Sequence, residues 1–219
     1  CGASPLVISA PHTGHLIPSH LHERFTHEAL KSEDSDWFIK ELYAPIAERL
    51  GGSLLSARLS RYVVDLNRPA SDESLYPGQR TTSLCPTESF EGAPLYREGC
   101  EPTDEERAER VQRYWRPYHE ALRAELERVK AQHGYVLLWE AHSIKSEVPL
   151  LFEGRLPEIN LGTFSTDYDS ATDAYTSFKP KTQGSQIISI SQFAFGQTYA
   201  NNSASYVSVL NNSTDYGHY

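Results

Sequence analysis

Short apolar runs alternate with longer stretches of helical periodicity along this chain. Pro5-Leu6-Val7-Ile8-Ser9-Ala10 is a continuous apolar run that predicts a buried strand, broken by Pro11-His12-Thr13-Gly14. From Ser32 to Leu50 the spacing predicts an amphipathic helix. Ser35 is its N-cap, Asp34 and Asp36 lie at its positive end, and Gly51-Gly52 closes it. Its apolar face comprises Trp37, Ile39, Leu42, Tyr43, Ile46, Ala47 and Leu50, with a kink expected at Pro45. Leu54 to Ala57 reads as the next strand. Tyr62-Val63-Val64 reads as another, stopped by Pro69. Residues 69 to 103 are irregular and turn-dense, the composition of a lid or pocket wall. Thr103 to His133 is the clearest helix. It has a Thr103/Glu106 capping pattern, an apolar stripe through Val111, Trp115, Leu122 and Val129, a bend at Pro117 and a stop at Gly134. Tyr135 to Trp139 is a further buried strand, and Gln186–Phe195 and Ala204–Leu210 alternate like strands. Strands interleaved with helices predict an α/β fold.

The remaining composition narrows the function classes. The chain has 219 residues and a net charge of −9, with no basic cluster, which argues against nucleic-acid binding. No apolar run approaches the length of a membrane span, and no signal peptide is visible, so a cytoplasmic protein without a membrane partner is expected. The chain begins at Cys1 and contains no Met, so its natural start is expected to be missing or processed. Cys1, Cys85 and Cys100 have neither zinc-ribbon nor redox spacing, and Cys85 and Cys100 are expected to be free thiols.

Candidate chemistry gathers at the predicted strand ends, where α/β sheets bind ligands. His12 follows the first strand on a Pro/Gly-framed turn and reads as a metal ligand, a general base or a structural residue. Asp36 reads either as a first-turn acid or, if the helix start faces His12, as a ligand. Glu140-Ala141-His142 ends the Tyr135–Trp139 strand, with the carboxylate placed to orient the histidine. Two histidines and a carboxylate are the parts of an open catalytic zinc site. In the Ser60–Pro69 stretch, Asp65, Asn67 and Arg68 form a polar cluster. Arg68 reads as a clamp for a carboxylate or as half of a loop-stapling pair with Asp65. Arg80 and Arg97 are the cationic members of the 69–103 stretch.

Several of these pieces carry a family resemblance. They are Ser4–Gly14, Asp34-Ser35-Asp36-Trp37, Ser60–Pro69, Ser74–Gln79, Tyr114-Trp115-Arg116-Pro117-Tyr118-His119, Glu140–Ile144 and Leu151–Thr163. In this order they resemble the N-formylglutamate amidohydrolase family over residues 4 to 163. The resemblance implies a zinc-dependent amide hydrolase with a three-layer mixed sheet flanked by helices, zinc-carboxypeptidase-like (phosphorylase/hydrolase-like). It implies one Zn2+ per chain, or another divalent ion, on His12, Asp36 and His142. Asn67 and Arg68 would grip a carboxylate of a small N-acyl amino acid; Arg80 and Arg97, read from their own stretch as part of a lid or pocket wall, are further substrate-binding candidates. Arg61 would assist the oxyanion. The implied reaction is hydrolysis of N-formyl-L-glutamate to formate and L-glutamate in histidine degradation.

One departure is small: the family tends to have Asp where Glu140 stands. A larger one concerns the general base, expected from a Glu-containing strand beyond residue 163. Residues 164–219 are rich in Ser and Thr and contain no Glu, so they read as a β-containing tail completing or appended to a 1–163 catalytic domain. Glu140 is then the nearest candidate base, followed by Glu153. The missing Glu also supports a second class of function, a zinc- and carboxylate-binding protein of weak or no activity. A hydrolase of another N-acyl amino acid shares the same site.

Overall fold

The computed structural model describes residues 2–73, 82–150 and 154–155, together with strand backbones between residues 160 and 210. In chain order the elements are β1 (Leu6–Ala10), α1 (Ile39–Leu50), β2 (Ser53–Ser56), α2 (Asp104–Arg110), a π-turn (Val111–Trp115), α3 (Arg116–His133) and β3 (Val136–Glu140). The short strands β4 (Asn160–Leu161), β5 (Tyr168–Asp169) and β6 (Ala174–Tyr175) follow, then β7 (Ile187–Ser191), β8 (Phe193–Ala194) and β9 (Val207–Leu210).

The main sheet has the order β2-β1-β3-β7-β9. β1 runs parallel to β2 and β3, β3 parallel to β7, and β9 closes the edge antiparallel to β7. Successive residues of a strand face opposite sides. Val7 accordingly packs on Leu122, Leu126 and Val129 of α3, while Ile8 packs on Ile39, Tyr43 and Ala47 of α1. A helix therefore covers each face of the β1 region. The alternation continues to Ser9 and Ala10, so the chain leaves β1 between two packed layers, at the carboxyl end of the parallel strands.

The structure corrects the Tyr62–Val64 strand. Residues 61–63 form a turn, and Val63 N–H donates to the Ser60 carbonyl at 2.9 Å. The run is apolar because it is buried on both sides. Tyr62 and Val63 join Ile17, Phe25 and Leu95, while Val64 and Leu66 join Leu84, Val111 and Trp115. A buried run without a ladder must satisfy its backbone elsewhere. Here the Val63, Leu66 and Arg68 carbonyls accept from the side chains of Arg110, His119 and Trp115.

The first helix is also corrected. It starts at Ile39, and its N-cap is Phe38 at φ 66°, not Ser35. Ser35 Oγ is engaged with the Gly14 carbonyl at 2.8 Å and so does not cap the helix. Of the expected apolar face only Ile39, Tyr43 and Ala47 are buried; Trp37, Leu42, Ile46 and Leu50 are exposed. Pro45 sits inside α1 without ending it.

In the long helical segment Thr103 caps as expected, accepting from Glu106 N–H, and Gly134 ends α3 at φ 80°. Just before Pro117, where a bend is expected, the helical segment widens into a π-turn over Val111–Trp115. A prolyl ring collides with the carbonyl four residues back in a regular helix, and a widened turn relieves that collision. Cys85 and Cys100 are free. Among the described residues no helix is long and apolar enough to cross a membrane.

Candidate metal centre

His12 lies just past β1 on a turn fastened by Thr13, whose hydroxyl lies within reach of the Ala10 and Ala57 carbonyls at 3.1 and 3.3 Å. Gly14 then bridges to Ser60. A Cβ on Gly14 would stand 2.2 Å from the Leu59 carbonyl oxygen and 2.4 Å from the Arg58 carbonyl carbon. Only glycine lets these two backbones close, which brings the Ser60–Pro69 loop against the His12 turn.

Asp36 reaches the same place from the loop before α1. Its N–H donates to the His12 carbonyl at 2.8 Å, and Ser32 Oγ donates to Ser60 Oγ at 3.0 Å, tying that loop to its neighbours. His142 arrives two residues beyond β3. Its Nδ1 is 3.2 Å from Asp36 Oδ2, and His12 Nδ1 is 3.7 Å from the same oxygen. The two imidazole centroids are 4.9 Å apart. One possible ligand atom from each of His12, Asp36 and His142 lies within 4.8 Å of the others, and all three residues are buried.

The donor set fits a divalent metal of the zinc type. Two imidazoles and one carboxylate converge, a donor set of the kind that holds a catalytic zinc. His142 Nε2 is buried without a hydrogen-bond partner among the described residues, and such a group is costly unless something else satisfies it. Burial, and then Arg61, lower the His12 pKa, which favours the neutral imidazole that a metal needs. Burial also presses on His142, but the hydrogen bond and charge of Asp36 outweigh it and raise its pKa.

Asp65 does more than hold arginines. Its Oδ1 accepts from His12 Nε2 at 2.7 Å, and its Oδ2 accepts from Arg61 Nη2 at 2.6 Å. Nε2 must then carry the proton, which leaves the Nδ1 lone pair turned toward Asp36 and His142. A carboxylate on the far nitrogen of a ligating histidine fixes tautomer and ring orientation. The sequence placed Asp65 beside Arg61 and Arg68 but carried no signal for this longer bond. Arg61 is itself buried, lies over the Phe90 ring at 4.7 Å and places Nη1 3.4 Å from His12 Nδ1.

Asn67 and Arg68 follow directly. Asn67 N–H donates to Asp65 Oδ1 at 2.9 Å, so the loop that bears them is fastened to the carboxylate that orients His12. Arg68 is half-buried and donates to Thr82 Oγ1 at 2.9 Å from Nη2. Among the described residues no carboxylate pairs with it at ion-pair distance. Glu140 is buried within β3, in register with Ser9. Burial pushes its pKa up to about 7, against the lowering pull of His142 and a hydrogen bond from Ser9. It lies on the α3 side of the sheet, where Ser9 also meets Tyr118. Arg97 is exposed, its N–H bound to the Arg24 carbonyl, and nothing among the described residues brings its side chain to the cluster. Arg80, Glu153 and the Ser74–Gln79 motif lie outside the described residues.

Fold and site together define an α/β protein with a buried His–Asp–His centre at the carboxyl ends of parallel strands. Comparison with known sequences adds the family. The profile of N-formylglutamate amidohydrolase matches residues 4–198, beyond the last sequence motif at Thr163. The chain belongs to the N-formylglutamate amidohydrolase family. It is 49% identical over 164 residues to an N-formylglutamate deformylase of Pseudomonas putida, which covers 75% of this chain and 61% of that protein. It is 51% identical over 162 residues to one of Pseudomonas aeruginosa, covering 74% and 60%. The chain thus spans about three fifths of these relatives. Among solved structures, an N-formylglutamate amidohydrolase from Ralstonia eutropha aligns with a TM-score of 0.56 at 26% identity, over 76% of this chain and 65% of that one. A gene product of Agrobacterium tumefaciens aligns at 0.58 and 21% identity, over 78% and 64%, and shares the fold.

Proposed function

We propose that this chain hydrolyses the formyl amide of N-formyl-L-glutamate to formate and L-glutamate, using one zinc ion held by His12, Asp36 and His142. The single observation that carries the reading is the convergence of that buried triad beside Arg61 and the Asn67–Arg68 loop. The names of the Pseudomonas relatives supply the substrate. Another divalent ion suits the same donors less well, since imidazole nitrogen favours zinc over magnesium or calcium. When bound, zinc supplies Lewis-acid polarisation of the scissile carbonyl.

The chain's own residues do the rest. Asp65 holds the His12 proton on Nε2 and leaves Nδ1 free, while burial and Arg61 favour the neutral ring. Arg61, held charged by Asp65, stands next to the triad and stabilises negative charge on the carbonyl oxygen. Glu140, at the end of β3 two residues before His142, would take the water proton and pass it to the departing amine. Asn67 and Arg68 orient the substrate through a carboxylate, and Arg80 belongs with them. Exposed Arg97 has at most an outer, steering part. A zinc-carboxypeptidase-like three-layer fold is part of the proposal, supported by a helix on each face of the β1 region and ligands at strand ends. So are a 1–163 catalytic domain with a 164–219 segment completing it, a place in histidine degradation and a cytoplasmic setting. Free Cys85 and Cys100 suit that setting.

Arg68→Ala is expected to weaken substrate binding by about 2–5 kcal/mol, the range for truncating one member of a hydrogen-bonded charge pair. Steady-state kinetics with N-formyl-L-glutamate check it, and an unchanged KM would remove Arg68 from the grip. A second reading, a carboxylate-binding protein with little turnover, is favoured by the absence of any Glu after Glu158. It predicts tight L-glutamate binding without formate release.

A further inference from the structure

Among the described residues, the stretch Arg61–Pro69 that carries Asn67 and Arg68 pairs with no strand. Its carbonyls are taken instead by side chains from one helical segment. Arg110 Nη1 donates to the Val63 carbonyl at 2.9 Å, Trp115 Nε1 to that of Arg68 at 2.8 Å and His119 Nε2 to that of Leu66 at 2.9 Å. The two rings stack on each other, centroids 3.8 Å apart at 27°.

These three residues share a side only because of the π-turn. Residues 110 and 115 would lie about 140° apart around a regular α-helix at 3.6 residues per turn. The Arg116 N–H reaches back to the Val111 carbonyl, an i→i+5 closure that adds a residue to this turn. Trp115 and His119 are then four apart on α-helical geometry, which keeps them on one face. The widened turn, set just before Pro117, thus aims a row of donors at the Asn67–Arg68 loop.

We infer that Trp115 and His119 are positioning residues for substrate binding: the π-turn presents them as a clamp that fixes the Leu66 and Arg68 carbonyls and so the direction of the Arg68 side chain. This inference rests on the reading of Asn67 and Arg68 as the carboxylate grip. Neither ring touches substrate in this account. His119 must carry its proton on Nε2, because a carbonyl only accepts.

The test uses the full chain and L-glutamate, which keeps the carboxylates of the proposed substrate and is not consumed. Affinity is measured by calorimetry for Trp115→Phe, His119→Leu, His119→Gln and Arg68→Ala, and for each clamp variant combined with Arg68→Ala. Trp115→Phe keeps an aromatic side chain but removes the indole N–H and some buried volume, so its loss is read against the Arg68→Ala background, and His119→Leu removes the donor. Each is expected to weaken binding about five- to tenfold, the scale of one net hydrogen bond. His119→Gln, which can still donate, should recover most of that loss. In the Arg68→Ala background the clamp variants should cost nothing further, since coupled residues are not additive. For N-formyl-L-glutamate the loss should fall on KM, with kcat within about twofold. A clamp with only a structural role would lower the active fraction and leave affinity alone. Unchanged affinity in Trp115→Phe and His119→Leu beside an impaired Arg68→Ala would overturn the positioning role alone, as would an equal loss in the Arg68→Ala background. Unchanged affinity in Arg68→Ala would overturn the grip itself.

Discussion

His142→Ala should abolish metal binding. Purified chain is expected to hold about one zinc, by the three-protein-ligand count of a catalytic site, and the variant close to none by elemental analysis. Formate release should fall to background with it. The reason is geometric: Asp36 Oδ2 sits 3.2 Å from His142 Nδ1 and 3.7 Å from His12 Nδ1, so removing either ring leaves two donors. His12→Ala should lose the metal too, but with a larger cost to stability. His12 also caps the Asp65 carboxylate at 2.7 Å, whereas His142 Nε2 has no hydrogen bond among the described residues to lose. Full metal retention in both variants would remove the triad from the account.

Asp65→Ala should be the most destabilising single change in the site. The carboxylate is fully buried and is shared between Arg61 and His12. Removing it strands a buried guanidinium, and breaking a buried pair from one side costs about 3–5 kcal/mol. Urea unfolding should show a lower midpoint at unchanged slope. Replacing both partners, as in Arg61→Met with Asp65→Leu, should cost less than Asp65→Ala, because no charge is left without compensation. Acid should act on the same contact. Burial pushes the Asp65 pKa up, but Arg61 and His12 outweigh it and hold it well below the ordinary value. The stabilisation is therefore fully present above an unfolded carboxyl value of about 3.9. It is lost as pH falls from there through the lower folded value. A wild-type acid limb that Asp65→Ala leaves unaltered would contradict this assignment.

The parts of the site that were legible in the sequence share a physical reason. His12 and His142 each follow an apolar run directly, and parallel strands deliver such positions to one edge. Asp36 was legible as a residue and misplaced as an element: it sits in a loop tied to the His12 carbonyl, and the helix begins three residues later. The Tyr62–Val64 run was misread because burial from two sides produces the same apolar pattern as a buried strand. Only the destination of its carbonyls separates the two, and those partners lie some 45 to 55 residues away, at Arg110, Trp115 and His119. The π-turn left one trace, Pro117, which reads equally as a bend. The exposed stripe of α1 followed the correct period on an incorrectly assigned face, since Leu42, Ile46 and Leu50 repeat at four-residue steps whether or not anything covers them.

The proposed deformylase activity depends on the triad and the Asn67–Arg68 loop working as one site. The direct test is formate measured from N-formyl-L-glutamate with this chain, before and after chelator treatment and zinc restoration. The account predicts formate and L-glutamate in equal amounts, lost with the metal and regained with zinc. Chain that holds its zinc and binds L-glutamate yet releases no formate would contradict it.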